Sequence, residues 1–374
     1  MSTLVLNGLR RLVVKIGSAL LVDGDNRINR AWLGGLAADV ADLRNAGHQV
    51  LIVSSGAVAI GSQVLGISPR RARLEDLQAA AAAGQVQLVH AYQDAFSRHD
   101  IRAAQVLLTP DDTEVRRRFL NARGTLEKLL EHGIVAVINE NDTVATDELR
   151  YGDNDRLAAR VAQTVMADGL VLLSDVDGFY TTDPRFDTEA EYITSVNQIT
   201  DEHFAMAGDS GSRVGSGGMR TKLQAAKIAT HAGCATIVAS GAIERPLSAL
   251  AGGGKCTVFA AEATPAAARK QWLAGMLEVC GELRLDAGAA VALRKGNSLL
   301  PVGVREVTGE FRRGDAVSLV AADGQELGRG LAAYNRDEAV AISGCRSDQI
   351  EAKLGYRGRS VMVHRDDMVL FKRK

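Results

Sequence analysis

Asn139, Glu140, Asn141 and Asp142 follow directly on an apolar strand read from Ile134 to Ile138, and Asp147, Glu148, Asp153, Asn154 and Asp155 come shortly after. That many carboxylates beside one strand end repel one another unless cations or hydrogen-bond donors sit among them. Two lysines elsewhere in the chain need an anion or are placed to bind one. Lys15 lies inside the apolar run RLVVKI, where an ammonium is costly unless it reaches an anion or water at the sheet edge. Lys222 falls on the first turn of a helix behind the glycine-rich run GDSGSRVGSGGMRTK, residues 208–222. Gly208, Gly211, Gly215, Gly217 and Gly218 let the backbone come close to a ligand, and a glycine-rich loop running into a helix N-terminus is a general way to hold phosphate. The run contains neither G-x-x-x-x-G-K-[ST] nor a spaced G-x-G-x-x-G after a strand. Plainer accounts exist for both stretches: a solvated acidic loop in which Asp153 caps a helix, and a flexible surface loop rich in glycine. The second leaves the first-turn lysine unexplained.

The elements that must position these groups are legible from periodicity. Six short runs rich in β-branched residues punctuate the first 260 residues: 11–16, 49–53, 104–108, 133–138, 170–174 and 235–240. Helical periodicity occupies about 29–46, 71–98, 113–131, 153–167 and 218–232. In the fourth of these, Leu157, Val161 and Val165 recur at the spacing that buries one helix face. Apolar runs without strict alternation suit strands buried on both faces, so the expected fold is α/β, a mainly parallel sheet flanked by helices. Ligands of such folds lie in the loops beyond the carboxyl ends of the strands. There the sequence places Gly17-Ser18, the small-residue turn SSGAVAIG (54–61), the acidic stretch, and the turn-rich loop from Asp175 to Pro184. The backbone N–H groups of the second could line an anion nest. Asp175 and Asp177 are equally readable as ordinary turn acids.

A helix behind Pro265, spanning 263–277, is expected to connect this first domain (1–262) to a small β-rich domain over 278–366, where short strands are separated by turn signals such as Gly296-Asn297 and Asp323-Gly324. From residue 278 onward there are 16 Lys and Arg against 14 Asp and Glu, too small an excess for electrostatics to favour tight nucleic-acid binding. The whole chain is as balanced, with 44 basic and 45 acidic residues and a net charge of −1, which argues against coating nucleic acid or anionic membrane. Cys234, Cys256, Cys280 and Cys345 never form C-x-x-C and read as free thiols of a reducing compartment. With no run of about 18 apolar residues, the expected location is the cytoplasm.

Taken together and in order, VVKIGS (13–18), VSSGAVA (53–59), LNARGTL (120–126), VINENDTV (137–144), GDNDRLAA (152–159), LLSDVDGFYTTDPR (172–185) and GSGGMRTKLQAA (215–226) resemble the amino-acid kinase family, and within it the glutamate 5-kinases. GELRLDAGA (281–289), GNSLLPVGV (296–304) and VTGEFRRGD (307–315) are similar to a PUA domain, a module often fused to this kinase. One departure is Ser216, where many members carry Thr. The resemblance implies ATP-dependent phosphorylation of the side-chain carboxylate of L-glutamate, with Mg²⁺, as the first step of proline biosynthesis. Carried over by motif, Lys15, Lys222 and Asp155 form the catalytic set, and Ser55, Asn139, Asp142 and Asn154 bind glutamate. Lys15, Ser174, Asp175 and the run Ser216, Gly217, Gly218, Met219, Arg220, Thr221 and Lys222 bind ATP. Asp153 is a candidate metal contact beside an ion held mainly by ATP phosphates. A homo-oligomer and weak RNA contact through the PUA-like domain are further implications.

The residues suit that chemistry. A carboxylate nucleophile has an intrinsic pKa of about 4.3 and is ionised at neutral pH, so no general base is needed, and the seven scattered histidines read as structural or exposed. The difficulty is bringing an anion in line with a polyanionic triphosphate, which phosphoryl transfer overcomes by positioning and by cations. Asp155 between Lys15 and Lys222 would hold both ammonium groups in place. Asp142 would pair with the substrate's α-ammonium, and the Asn154 amide would donate to its α-carboxylate. Kinases acting on aspartate, acetylglutamate or carbamate are the nearest alternatives. An RNA-binding protein acting through its C-terminal domain is a more distant one, disfavoured by the lack of an aromatic base-stacking run.

Overall fold

The computed structural model describes residues 5–69, 71–144, 154–208, 218–274 and 279–371. The chain divides into two compact units, Met1–Pro265 and Ala266–Lys374.

In the first unit the strands are β1 (Arg11–Ile16), β2 (Gln49–Val53), β3 (Ala103–Leu108), β4 (Val135–Glu140), β5 (Gly169–Ser174), β6 (Phe179–Tyr180), β7 (Tyr192–Ile193), β8 (Ser195–Val196), β9 (Ala235–Ser240) and β10 (Cys256–Phe259). Eight of them form one sheet in the order β3-β4-β2-β1-β5-β9-β10-β8, and β6 and β7 form a small antiparallel pair. From β3 to β9 every pairing is parallel; β10 pairs antiparallel with β9, and β8 pairs parallel with β10. The helices are α1 (Ser18–Leu21), α2 (Arg30–Asn45), α3 (Ala57–Leu65), α4 (Leu74–Ser97), α5 (Pro110–Glu114), α6 (Arg116–Glu131), α7 (Asn154–Thr164), α8 (Asp201–Met206), α9 (Met219–His231) and α10 (Pro246–Ala251). The α/β class and the six long strands match the periodicity reading. The strands β8 and β10, at one end of the sheet, escape it because they are short, and the helix read over 113–131 breaks at Val115 into α5 and α6.

Alternation along the strands sends successive side chains to two different cores. Leu12, Val14 and Ile16 of β1 join Val50, Ile52, Val135 and Val137 beneath α2, α3 and α4. Val13 joins Leu51, Val53, Ala136, Ile138, Leu170 and Leu172 beneath α7 and α9. The same alternation puts Lys15 on the face covered by α7 and α9, and Asn139 on the face covered by α3 and α4. Beneath α4, Leu88 and Tyr92 are completely buried. α3 and α4 cross with backbone against backbone: a Cβ at Gly61 would lie 1.7 Å from the Ala80 carbonyl oxygen, and one at Gly84 1.9 Å from that of Ala57.

In the second unit, α11 (Pro265–Ala274) is followed by β11 (Gly281–Leu285), α12 (Ala287–Arg294), β12 (Val304–Gly309), β13 (Ala316–Val320), β14 (Glu326–Leu331), α13 (Arg336–Ile342), α14 (Ile350–Leu354) and β15 (Met368–Leu370). The sheet order is β12-β11-β13-β14-β15. Its core gathers Leu283, Val317, Leu319, Tyr334, Ile342 and Val363. Arg269 of α11 is buried against Asp367 at 3.0 Å, so this helix packs within the second unit. Among the described residues, no helix is long and apolar enough to cross a membrane.

Candidate functional site

The carboxyl ends of β1, β2, β4 and β5 converge where two long helices begin. Lys15 is the penultimate residue of β1, in register with Val53 and Leu172 on its two neighbours. Its ammonium lies 2.5 Å from Asp155 Oδ1, and Lys222 Nζ lies 3.2 Å from Asp155 Oδ2. All three side chains are buried, Asp155 completely. Burial by itself pushes the Asp155 carboxyl up, but the charges of Lys15 and then Lys222 outweigh it and hold the group below its ordinary value. Thr221 adds a hydroxyl that donates to Asp155 Oδ2 at 3.2 Å and to the Gly218 carbonyl at 2.8 Å. Asp155 and Lys222 each occupy the first turn of a helix, α7 and α9, and these two helices pack on each other. Two helix N-termini and two ammonium groups thus surround one carboxylate, which is a setting for further negative charge.

The neighbouring residue, Asn154, turns the other way. Its Nδ2 donates to the Ser54 carbonyl, to Asn139 Oδ1 at 2.7 Å and to Ser55 Oγ at 3.2 Å. Asn139 Oδ1 also accepts from the Glu140 backbone N–H at 2.9 Å, while Asn139 Nδ2 donates to Gln85 Oε1 at 2.9 Å. Ser55 precedes Gly56, whose φ of +94° turns the chain from β2 into α3. The turn foreseen over 54–61 is therefore a short turn followed directly by a helix. Asn139 and Glu140 are also not in a loop: they continue β4 opposite Leu107 and Leu108 and are buried. Asn154 cannot serve a ligand carboxylate through its amide nitrogen, because the protein's own acceptors take that group. Asp142 lies half-buried on the turn after β4.

At the end of β5, the Ser174 hydroxyl is buried and donates to the exposed Asp175 at 2.9 Å. Met219 packs against the core, whereas Arg220 lies over the Phe204 ring at 5.8 Å. Gly218 precedes α9 in extended conformation. Ser216, Gly217 and Asp153 lie outside the described residues, as do Asp147 and Glu148. Farther along the β5 loop, Asp177 meets Lys255 at 2.9 Å and Tyr180 at 3.0 Å. Burial raises the Asp177 carboxyl, and hydrogen bonds from Lys255 and Tyr180 more than offset this, leaving it below its ordinary value. Lys255 also faces the Tyr180 and Tyr192 rings at 5.0 and 4.4 Å.

Lys15, Asp155 and Lys222 are thus brought together, as are Ser55, Asn139 and Asn154. Asn154 and Asp155, adjacent in the chain, join the two groups. Gln85 and Lys255 carried no sequence signal: the first is hidden in an alanine-rich helix, and the second stands in an ordinary glycine turn.

Residues 10–240 match the model of the amino acid kinase family, and residues 281–354 match that of the PUA domain. Among curated proteins, the chain is 54% identical to "Glutamate 5-kinase" of Rhizobium rhizogenes, covering 98% of this chain and 94% of that protein. It is 55% identical to "Glutamate 5-kinase 1" of Rhizobium meliloti, over 98% and 93% of the two chains. Identity to "Glutamate 5-kinase" of Paramagnetospirillum magneticum is 56%, over 96% and 98%.

Proposed function

We propose, from the premise that the chain belongs to the amino acid kinase family, that it transfers the γ-phosphoryl group of ATP to the side-chain carboxylate of L-glutamate, forming L-glutamyl 5-phosphate in the first step of proline biosynthesis. The observation that carries the reading is the buried Lys15–Asp155–Lys222 triad at the ends of β1, α7 and α9. High identity to glutamate 5-kinases along nearly the whole chain supports the choice of glutamate among acids.

In this reading the glutamate carboxylate attacks phosphorus without a general base, since it is ionised at neutral pH. Lys15 and Lys222 stabilise the charge on the transferring group, and preorganised donors of this kind typically contribute ~3–4 kcal/mol each. Asp155 is fully buried and reaches no solvent, so its role is to fix both ammonium positions before the nucleotide arrives. Ser174, Asp175 and the loop from Ser216 to Lys222 hold ATP, with the N-terminus of α9 facing phosphate. Ser55, Asn139, Asp142 and Asn154 hold glutamate. The Asn154 oxygen and Asp142 take the α-ammonium, and the Ser55 hydroxyl, accepting from Asn154, keeps its own proton to donate to a carboxylate. A Mg²⁺ ion would be held mainly by the ATP phosphates, with Asp153 as a candidate contact. Such an ion would neutralise phosphate charge. Residues 1–262 make up the catalytic domain and 278–366 a PUA-like domain behind a connecting helix. Four free cysteines suit a cytoplasmic enzyme.

The test mixes the purified protein with MgATP and single acids, and follows ADP release and hydroxylamine-trapped acyl phosphate. Signal with L-glutamate, and none with aspartate, acetylglutamate or carbamate, is the expected result. No acyl phosphate with any of them overturns the reading.

A further inference from the structure

Two backbone groups decide how the amides beside the triad must point. The Glu140 N–H can only donate, so Asn139 must turn its oxygen toward it, at 2.9 Å. Asn139 Nδ2 then faces Gln85, which has to present Oε1, as it does at 2.9 Å. The Ser54 carbonyl can only accept, so Asn154 must turn its nitrogen inward, where Asn139 Oδ1 also takes it at 2.7 Å. The polarity runs without conflict from Gln85 through Asn139 to Asn154. Its consequence is at the far end: Asn154 Oδ1 has no partner among the described residues and is left as an acceptor.

Gln85 is the side-chain anchor of this chain. It is buried, 8% exposed, on the face of α4 that also carries Leu88 and Tyr92, and its Nε2 makes no hydrogen bond among the described residues. The side chain is thus held by one hydrogen bond, through its oxygen. Its depth is set by its neighbour Gly84, whose missing Cβ lets α4 meet the Ala57 carbonyl just beyond the Ser55-Gly56 turn. An amide with one buried, unused N–H₂ is a poor choice for stability alone, since an unsatisfied buried donor is destabilising.

We infer that Gln85 is a positioning residue for the amino-acid site, holding Asn139 so that Asn154 offers a carbonyl oxygen and thereby selects a ligand bearing an ammonium group. The inference rests on the reading of Asn154 as a glutamate contact. Without the Gln85 acceptor, Asn139 keeps a buried N–H₂ that must seek another partner. Rotation of Asn139 removes one of the three acceptors of the Asn154 N–H₂, leaving the Ser54 carbonyl and the Ser55 hydroxyl, and sets its own N–H₂ against that of Asn154, which weakens the hold on the Asn154 orientation. The site loses preference for an ammonium, while the phosphate half, held through Asp155, is untouched.

The experiment compares the parent with Gln85→Met, which keeps length and removes the acceptor, and Gln85→Glu, which keeps the acceptor. The readout is the ratio of the inhibition constant of glutarate, which lacks the amine, to the KM of L-glutamate. KM for ATP is measured alongside. Gln85→Met is expected to lower the ratio on the order of tenfold, the size of one hydrogen bond to a charged group, with KM for ATP unchanged. Gln85→Glu is expected to retain most of the ratio. An unchanged ratio in folded Gln85→Met overturns the inference, and so does a Gln85→Glu variant that loses the ratio equally. If the Met variant does not fold, Gln85→Leu carries the same comparison. A parent protein without glutamate turnover would instead remove the kinase reading on which the inference stands.

Discussion

Replacing Asp155 by Asn preserves the shape of the side chain and removes the charge that two lysines share. The carboxylate is fully buried, with Lys15 at 2.5 Å and Lys222 at 3.2 Å on its two oxygens. Two ammonium groups so placed lie on the order of 5 Å apart, where like-charge repulsion at an effective dielectric of ~20 is ~3 kcal/mol. Removing one partner of a buried ion pair costs ~3–5 kcal/mol of stability. Thr221 is no substitute, because its hydroxyl already donates to Gly218 and bears no charge. The lysines therefore move apart, and losing the placement of even one preorganised donor lowers kcat by ~10²–10³-fold. The assay is ADP release at saturating glutamate and MgATP, with circular dichroism to establish folding. Thermal melts add a second readout: the triphosphate supplies the missing negative charge, so MgATP should raise the Tm of Asp155→Asn more than that of the parent. A folded variant with kcat within about threefold of the parent would refute the reasoning.

Lys222→Ala should lower kcat by ~10²–10³-fold while KM for glutamate stays near that of the parent, because the glutamate contacts run through Asn154 and Ser55; steady-state kinetics against each substrate separates the two effects. The pH dependence has a definite sign. The Asp155 carboxyl is held below its ordinary value of 3.8, so its stabilising contribution is complete above that pH and disappears only as pH falls through the lower folded value. With no general base in the mechanism, kcat should be flat from about pH 6 to 8, and a bell centred on a histidine-like pKa near 6.5 would contradict the mechanism. Gly84→Ala should destabilise the first unit by ~1–3 kcal/mol or more in denaturant melts, since the added methyl group meets the Ala57 carbonyl oxygen. Unchanged stability in that variant would mean that α3 and α4 are not in backbone contact.

Much of the fold was open to reading because its cause is local. Apolar runs such as QVLIV and GIVAVI are long enough to mark strands buried on both faces, and the helical repeats between them imply parallel connections. By polarity the fourth strand ends at Ile138, since Asn139 and Glu140 are polar; in the fold both stay in β4, paired with Leu107 and Leu108. Polar residues at the carboxyl end of a buried strand carry no local mark that separates a last strand position from a first loop position.

By itself, the sequence determined which charges exist and that they need one another: a lysine in a buried strand, a lysine on a first helical turn, and a crowd of carboxylates between them. The tertiary structure decided which carboxylate the lysines share, because only the packing of α7 on α9 brings Asp155 between residues 15 and 222. It also decided the chemical sense of Asn154. An amide can offer either end, and its side chain alone does not choose. The choice comes from the Glu140 N–H and the Ser54 carbonyl, two backbone groups on different strand ends, transmitted through Asn139 to a glutamine more than fifty residues away in sequence. Hydrogen-bond polarity is a property of the assembled network, so it exists only once those strand ends and α4 have met.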